Sequence, residues 1–324
     1  MTMKDDSANL RIGSRGSELA MWQARWVKGE LEKQFPDLKT EIIVIKTTGD
    51  KILDSPLSKI GDKGLFIKEI ERSLLDGSID LAVHSLKDMP TTMPDGLTLG
   101  AVTRRDDVRD VFISHPDKSY KKFTDLPPGA KVATGSVRRK CQLMRWRPDL
   151  EIVEIRGNLN TRLKKLDESS WDGMILARAG MMRLGLENRI TEILPIERVL
   201  PAVGQGTLAL EIRTNDEKMK KVAGTLNDPS TEIGIKGERA LLHELEGGCQ
   251  VPMGAYGRIE NGVFVLEAMI GTVDGKKVVR GKIHGAPEQA EHVSQRLAQT
   301  LLHSGGEDIL DRVRSGMNVE VPAI

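Results

Sequence analysis

Ser85, Lys87 and Asp88 fall together in AVHSLKDMPTTMP, where a nearly all-apolar run hands three polar side chains to a stretch closed by Pro90. In open α/β sheets the carboxyl ends of strands face the ligand crevice. An aspartate delivered there and shielded from water can act as a general acid, or as a counterion to a cationic intermediate. By itself the stretch also reads as a polar turn before proline, with Lys87 and Asp88 both solvated. A second set of candidates lies in KVATGSVRRKCQLMRWRP, where Thr134, Gly135 and Ser136 precede a helix expected to begin near Val137. Free N–H groups at a helix start, with two hydroxyls beside them, suit a phosphate or a carboxylate. Arg138 and Arg139 are sequence neighbours, so on a helix they are expected to project in different directions and to serve two carboxylates rather than pair on one group.

Between residues 131 and 165 ten Lys or Arg stand against three acids, a net +7. Lys140, Arg145, Arg147, Lys164 and Lys165 are expected on a solvated face. Arg156 and Arg162 flank RGNLNTR, a strand end followed by glycine and a helix start at Asn158 to Asn160, which repeats the anion-site pattern. Arg15 in SRGSELA repeats it again, with Ser17 as the cap. Each charge-assisted hydrogen bond to a carboxylate contributes about 1.5–3 kcal/mol, so several would hold a polyanionic organic ligand without a metal. The Gly-x-Gly-x-x-Gly and Walker patterns are missing, which argues against nucleotides. TTGDK and GDKGLF, with Lys59 and Lys63, read as a flexible lid.

Two cysteines occur in the chain, with no Cys-x-x-Cys or His-Glu-x-x-His spacing, so neither a disulfide framework nor a metal site is expected. Cys141 falls within the helix VRRKCQLMRW and reads as a small buried hydrophobe. Cys249, in ELEGGCQVPMG, follows two glycines and precedes Pro252, the setting of a loop thiol. None of the six histidines is arranged as a base for it. Spacing alone leaves open whether that thiol is functional.

Alternating strands and amphipathic helices must position these groups. LRIGSR, EIIVIK and IDLAVHS read as strands, and GLFIKEIERSLLDG as a helix closed by glycine. Leu19, Trp22, Trp26 and Phe35 mark the apolar spacing of a first helix. After the charged connection AVTRRDDVRDVFIS the pattern restarts with KVATGS, EIVEIRG and WDGMILA. TLALEIR is a further strand, and a long helix from about 230 to 246 leads to the double glycine. GAYGRIE, VFVLEAMIGTV and KKVVRGKIHG then read as an antiparallel meander before two helices.

At 324 residues the chain is expected to hold two or three domains, and its net charge of +1 gives no general pull toward nucleic acid or anionic membrane. Only Trp146 offers a stacking platform in the basic segment. The polar start and the lack of an 18-residue apolar run point to a cytoplasmic protein without a membrane partner. The absence of a spare apolar stripe points to a monomer.

GSRGSELAMWQA, KTTGDKILDSPLSKIGDKGLFIKEIE, AVHSLKDMP, SVRRKCQL, IRGNLNTRL, LPAVGQG and LEGGCQVPMGAY together resemble the porphobilinogen deaminase (hydroxymethylbilane synthase) family, from about residue 10 to near the C-terminus. The resemblance implies a transferase of tetrapyrrole biosynthesis. Such enzymes join four porphobilinogen molecules head to tail, releasing ammonia, to give hydroxymethylbilane. It implies a dipyrromethane cofactor on Cys249 through a thioether, and Asp88 as the catalytic group that contacts pyrrole N–H groups and stabilises the cation formed as ammonia departs. Lys87, Ser85, Thr134, Ser136, Arg138, Arg139 and Arg156 would bind the cofactor. Arg15, Ser17, Gln23, Arg162 and Arg183 would bind substrate, and Asp50, Lys59, Lys63 and Phe66 would belong to the mobile lid. Gly135 stands where many relatives carry a serine, and Arg178 has no place in the motif.

The implied fold is α/β: two type II periplasmic-binding-protein-like domains around a cleft plus a small C-terminal α+β domain. Residues 1–105 and 202–226 would form domain 1, 106–201 domain 2, and 227–324 the domain carrying the cofactor cysteine. TLALEIR would return to the sheet of domain 1. The rival from another class is a non-catalytic two-lobed binder of a small polyanionic solute, which accounts for the arginines but not for Cys249.

Overall fold

The computed structural model describes residues 9–48, 67–245 and 251–315. The chain divides into two compact units, one formed by Met1–Leu53, Gly64–Arg105 and Thr207–Glu232, the other by Asp54–Lys63, Asp106–Gly206 and Ile233–Ile324.

The first unit is built on a five-stranded sheet. Strands β1 (Leu10–Ser14), β2 (Thr40–Val44), β3 (Leu81–Ser85), β4 (Leu97–Val102) and, from far along the chain, β10 (Leu208–Arg213) take the order β2-β1-β3-β10-β4. β1 runs parallel to β2 and β3, while β10 lies antiparallel between β3 and β4. TLALEIR therefore returns to this sheet as expected. Helix α1 (Glu18–Gln34) covers one face, joined there by Leu10, Ile12, Leu81, Val83, Leu208 and Leu210; α2 (Lys68–Leu75) covers the other through Ile70 and Leu74. Cover on both faces explains why β3 is an almost unbroken apolar run. Gly77, at φ +77°, closes α2 in the left-handed region that only glycine enters without cost.

The buried stripe of α1 corrects the sequence expectation. Gln23, Ala24, Val27 and Leu31 face the sheet, while Trp26 is exposed. Phe35 lies just past the last turn and packs against the edge of that core. Aromatic spacing indicated the helix but not its inner face.

The second unit repeats the plan. Strands β5 (Asp110–Ser114), β6 (Lys131–Ala133), β7 (Glu151–Val153), β8 (Gly173–Ala177) and β9 (Glu192–Ile193) take the order β7-β6-β8-β5-β9. β6 is parallel to β7 and β8, and β5 is antiparallel to β8 and β9. The two sheets thus share one topology, and the fold is α/β with a further α+β element. Helices α3 (Val137–Trp146), α4 (Leu159–Asp167) and α5 (Arg178–Arg183) follow β6, β7 and β8. Two apolar clusters, one around Phe112 and Phe123 and one around Ile113 and Leu166, form the two sides of this sheet's core.

Past α6 (Glu217–Gly224), helix α7 (Pro229–Glu244) leads into the antiparallel meander β11 (Met253–Glu260), β12 (Val263–Gly271) and β13 (Val278–Gly285), as the alternation predicted. Helices α8 (Ala290–Leu301) and α9 (Glu307–Arg314) complete it. Glu238 of α7, fully buried, accepts hydrogen bonds from Gly257 N on β11 and from Gly204 N, both at 2.7 Å. A Cβ on Gly257 would lie 2.4 Å from the Gly234 carbonyl oxygen, so helix and strand touch backbone to backbone.

Candidate functional site

In the first unit β3 ends at Ser85 and the chain makes one 3₁₀ turn, Leu86–Asp88. The turn is pinned from beneath. Leu86 and Met89 are buried, Leu86 N donates to Thr207 O at 3.0 Å, and Met89 N donates to Leu86 O at 3.1 Å. Lys87 and Asp88 are left exposed on a rigid platform, and Asp88 has no side-chain partner among the described residues. Gln23, buried in α1, donates through Nε2 to Ser85 Oγ at 2.8 Å, which joins two of the expected site residues. Ser17 caps α1 by accepting from Ala20 N, and half-buried Arg15 sits between β1 and that cap.

In the second unit the two expected helix starts are present. Ser136 caps α3, accepting from Arg139 N at 3.4 Å, and Thr134 Oγ1 accepts from Ser136 N at 3.3 Å. Asn158 caps α4, accepting from Thr161 N at 2.9 Å. Arg162 donates through Nε to Gly157 O at 2.8 Å, and Arg156 pairs with Glu154 at 2.7 Å. Gly135 is explained by a close approach, since a Cβ there would lie 2.5 Å from the Ile155 carbonyl oxygen.

Arg138 and Arg139 overturn the expectation that they diverge. Both are buried, and both reach the carboxylate of Asp110 at the start of β5: Arg138 Nη2 donates to Oδ2 and Arg139 Nη2 to Oδ1, each at 2.8 Å. The other end of each guanidinium donates to a backbone carbonyl, Leu200 O at 2.5 Å for Arg138 and Ile175 O at 3.1 Å for Arg139. A helix turns about 100° per residue, but long arginine stems can converge when a buried acid lies between them. Burial alone would raise the Asp110 carboxyl, yet the two guanidinium groups outweigh it and hold it well below the usual carboxylate range. Burial lowers Arg138 from its ordinary value. The Nε atoms of both arginines are buried without a partner among the described residues.

Arg183, also buried, donates through Nε to Asp106 Oδ2 at 3.0 Å and through Nη2 to Gly206 O at 3.0 Å. Burial lowers it as well, against the opposing pull of Asp106. Arg178, unplaced by the motif, pairs with Asp107, which Arg109 also holds. Against the burial that would raise it, those arginines bring Asp107 down to about 2. Gln205 donates to Val108 O at 2.7 Å and to Asp110 Oδ1 at 2.9 Å. Sequence reasoning missed Asp106, Asp107, Asp110 and Gln205; the signal was the acid-rich stretch after Arg105, read only as a connection. Lys140 is half-buried and Arg145, Lys164 and Lys165 are exposed, while Arg147 pairs with Asp149.

Cys141 is buried against Leu200 and Met269, and burial pushes its thiol up to about 12, as suits an inert core residue. Cys249, Asp50, Lys59, Lys63 and Phe66 lie outside the described residues.

Among solved structures the chain is similar to the effector-binding domain of BenM with benzoate, at 13% identity over 68% of this chain and 92% of that one, TM-score 0.42. It is also similar to the L-cystine solute receptor of Neisseria gonorrhoeae, at 12% identity over 72% and 90%, TM-score 0.38. Residues 10–221 match the family described as porphobilinogen deaminase, dipyrromethane cofactor binding domain, and residues 233–303 match porphobilinogen deaminase, C-terminal domain. The chain is 54% identical over 306 residues to the porphobilinogen deaminase of Chlorobaculum parvum, covering 94% of this chain and 97% of the relative. It is 49% identical over 304 residues to that of Pelobacter propionicus, covering 94% and 97%. With both family domains matched in order, and half the residues shared with relatives along nearly the whole length, the chain belongs to the porphobilinogen deaminase family.

Proposed function

We propose that the protein is a hydroxymethylbilane synthase, condensing four porphobilinogen molecules head to tail with release of ammonia. The observation that carries the reading is the buried arginine pair, whose Nε donors have no partner among the described residues and which stands in the first turn of a helix capped by Ser136. That donor set fits the acetate and propionate arms of a pyrrole, and so it fits the dipyrromethane of the matched family domain. Thr134, Ser136, Arg138, Arg139 and Arg156, with Ser85 and Lys87, would hold the cofactor's carboxylates and ring N–H groups. When bound through a thioether to Cys249, the group supplies the primer end to which pyrrole units are added.

Asp88 is the catalytic group. Its carboxylate, presented on a pinned turn, accepts hydrogen bonds from pyrrole N–H groups and faces the positive charge that develops as ammonia leaves. A fixed negative charge lowers that barrier because the turn needs no reorganisation. Arg15, Ser17, Gln23, Arg162 and Arg183 orient the incoming carboxylates. We further propose three domains, 1–105 with 202–226, 106–201, and 227–324, in keeping with the three separate sheets among the described residues. The protein works as a cytoplasmic monomer; among the described residues no helix is long and apolar enough to cross a membrane.

The test is the intact mass of the denatured protein beside Cys249→Ser. A covalent excess of one dipyrromethane, absent from the variant, is expected. Active protein without the excess would defeat the reading.

A further inference from the structure

Two guanidinium groups and one carboxylate meet in the second unit with almost no access to water. Asp110 is fully buried, and Arg138 and Arg139 are each 5% exposed. The cluster therefore holds two positive charges against one negative. Asp110 accepts three hydrogen bonds: Oδ1 takes Arg139 Nη2 and Gln205 Nε2, and Oδ2 takes Arg138 Nη2. The terminal nitrogens of each arginine are committed to Asp110 and to a carbonyl, while both Nε–H groups are buried and have no partner among the described residues. A buried cation without a counterion is costly, and so is a buried donor without an acceptor. One anion brought to the Nε side of the pair removes both deficits at once.

We propose that Asp110 is a positioning residue for cofactor loading: it turns two arginines that would diverge into one rigid receptor whose remaining charge admits a single carboxylate. The idea rests on the deaminase reading above. Asp110 touches neither substrate nor cofactor in this scheme; it acts by fixing the direction of two donors. Gln205 adds a restraint from the segment leading back to β10, donating to the same carboxylate oxygen as Arg139 and to Val108 O. Neither residue belongs to the motif stretch SVRRKCQL, because both reach it only through the fold.

The experiment uses full-length Asp110→Asn and Asp110→Glu, with wild type in parallel. The folded fraction is isolated by gel filtration and its covalent cofactor content read by intact mass, before and after incubation with porphobilinogen. Expected is wild type fully loaded, and folded Asp110→Asn loading more slowly by about tenfold or more, because misdirected donors lose their alignment. Asp110→Glu keeps the charge balance but displaces the donors. It is expected to fold and to load incompletely, which keeps the idea testable if Asp110→Asn does not fold. A purely structural role predicts fewer folded molecules, each fully loaded; that outcome in either variant overturns the proposal. Wild type without any covalent excess would instead strike the deaminase reading itself.

Discussion

His84 Nε2 lies 2.9 Å from Glu211 Oε2, both side chains buried within the sheet of the first unit. His84 is one residue before Ser85 on β3, and Glu211 is on β10, so the pair ties the strand that delivers Asp88 to the strand that reaches it last along the chain. Glu211 Oε1 has no partner among the described residues, so the contact through Oε2 is the hydrogen bond this side chain makes there.

His84→Ala leaves the buried Glu211 side chain without its hydrogen-bond partner, and an unsatisfied buried polar group costs about 1–3 kcal/mol. The urea midpoint is expected to fall accordingly. Turnover per folded molecule should fall too, because β3 holds the turn under Asp88. An unchanged midpoint would show that the pair carries no stability.

Asp88→Asn keeps the shape of the turn but removes its charge. The protein is expected to fold, to retain its covalent cofactor by intact mass, and to lose turnover by about 10²–10³, the range for one electrostatic contact to a developing charge. Ammonia release measured with porphobilinogen decides it. Near-normal release would remove Asp88 from the central role.

Acid stability isolates Asp107. Its folded value, about 2, lies below the ordinary carboxylate value of 3.8, so its contribution is complete above about pH 4 and is lost as pH falls toward 2. Asp107→Asn lacks that contribution at every pH. Urea midpoints of wild type and variant should therefore differ at pH 5 and converge toward pH 2, whereas parallel curves would show that the Arg109 and Arg178 contacts add nothing.

Gly135→Ser adds a hydroxyl at the helix start, but the new Cβ meets Ile155 O at 2.5 Å. Overpacking of this kind costs about 1–3 kcal/mol. Lower thermal stability is expected; an unchanged melting temperature would mean that the segment after β7 yields without strain.

The strands, the meander and the helix caps at Ser17, Ser136 and Asn158 were legible because each depends on residues within a few positions of itself. The inner face of α1 was not. Large aromatics caught the pattern, while small Ala24 and polar Gln23 took the buried places. The convergence of Arg138 and Arg139 was hidden for a different reason: their acid lies 28 positions upstream of Arg138, where the charged run hid a wholly buried carboxylate. Local spacing tells which side chains carry charge. It does not tell which of them the topology will bring to one point.

The placement of β10 between β3 and β4 sets an order on synthesis. When residues 1–105 have left the ribosome, β3 lacks the neighbour on one edge and β4 lacks any partner in the sheet. Every strand of the second sheet, by contrast, comes from one uninterrupted stretch, Asp110 to Ile193. The later-made sheet can therefore close first, and the nascent chain must carry an open, apolar strand edge for about a hundred residues, the kind of surface that invites mispairing or a chaperone.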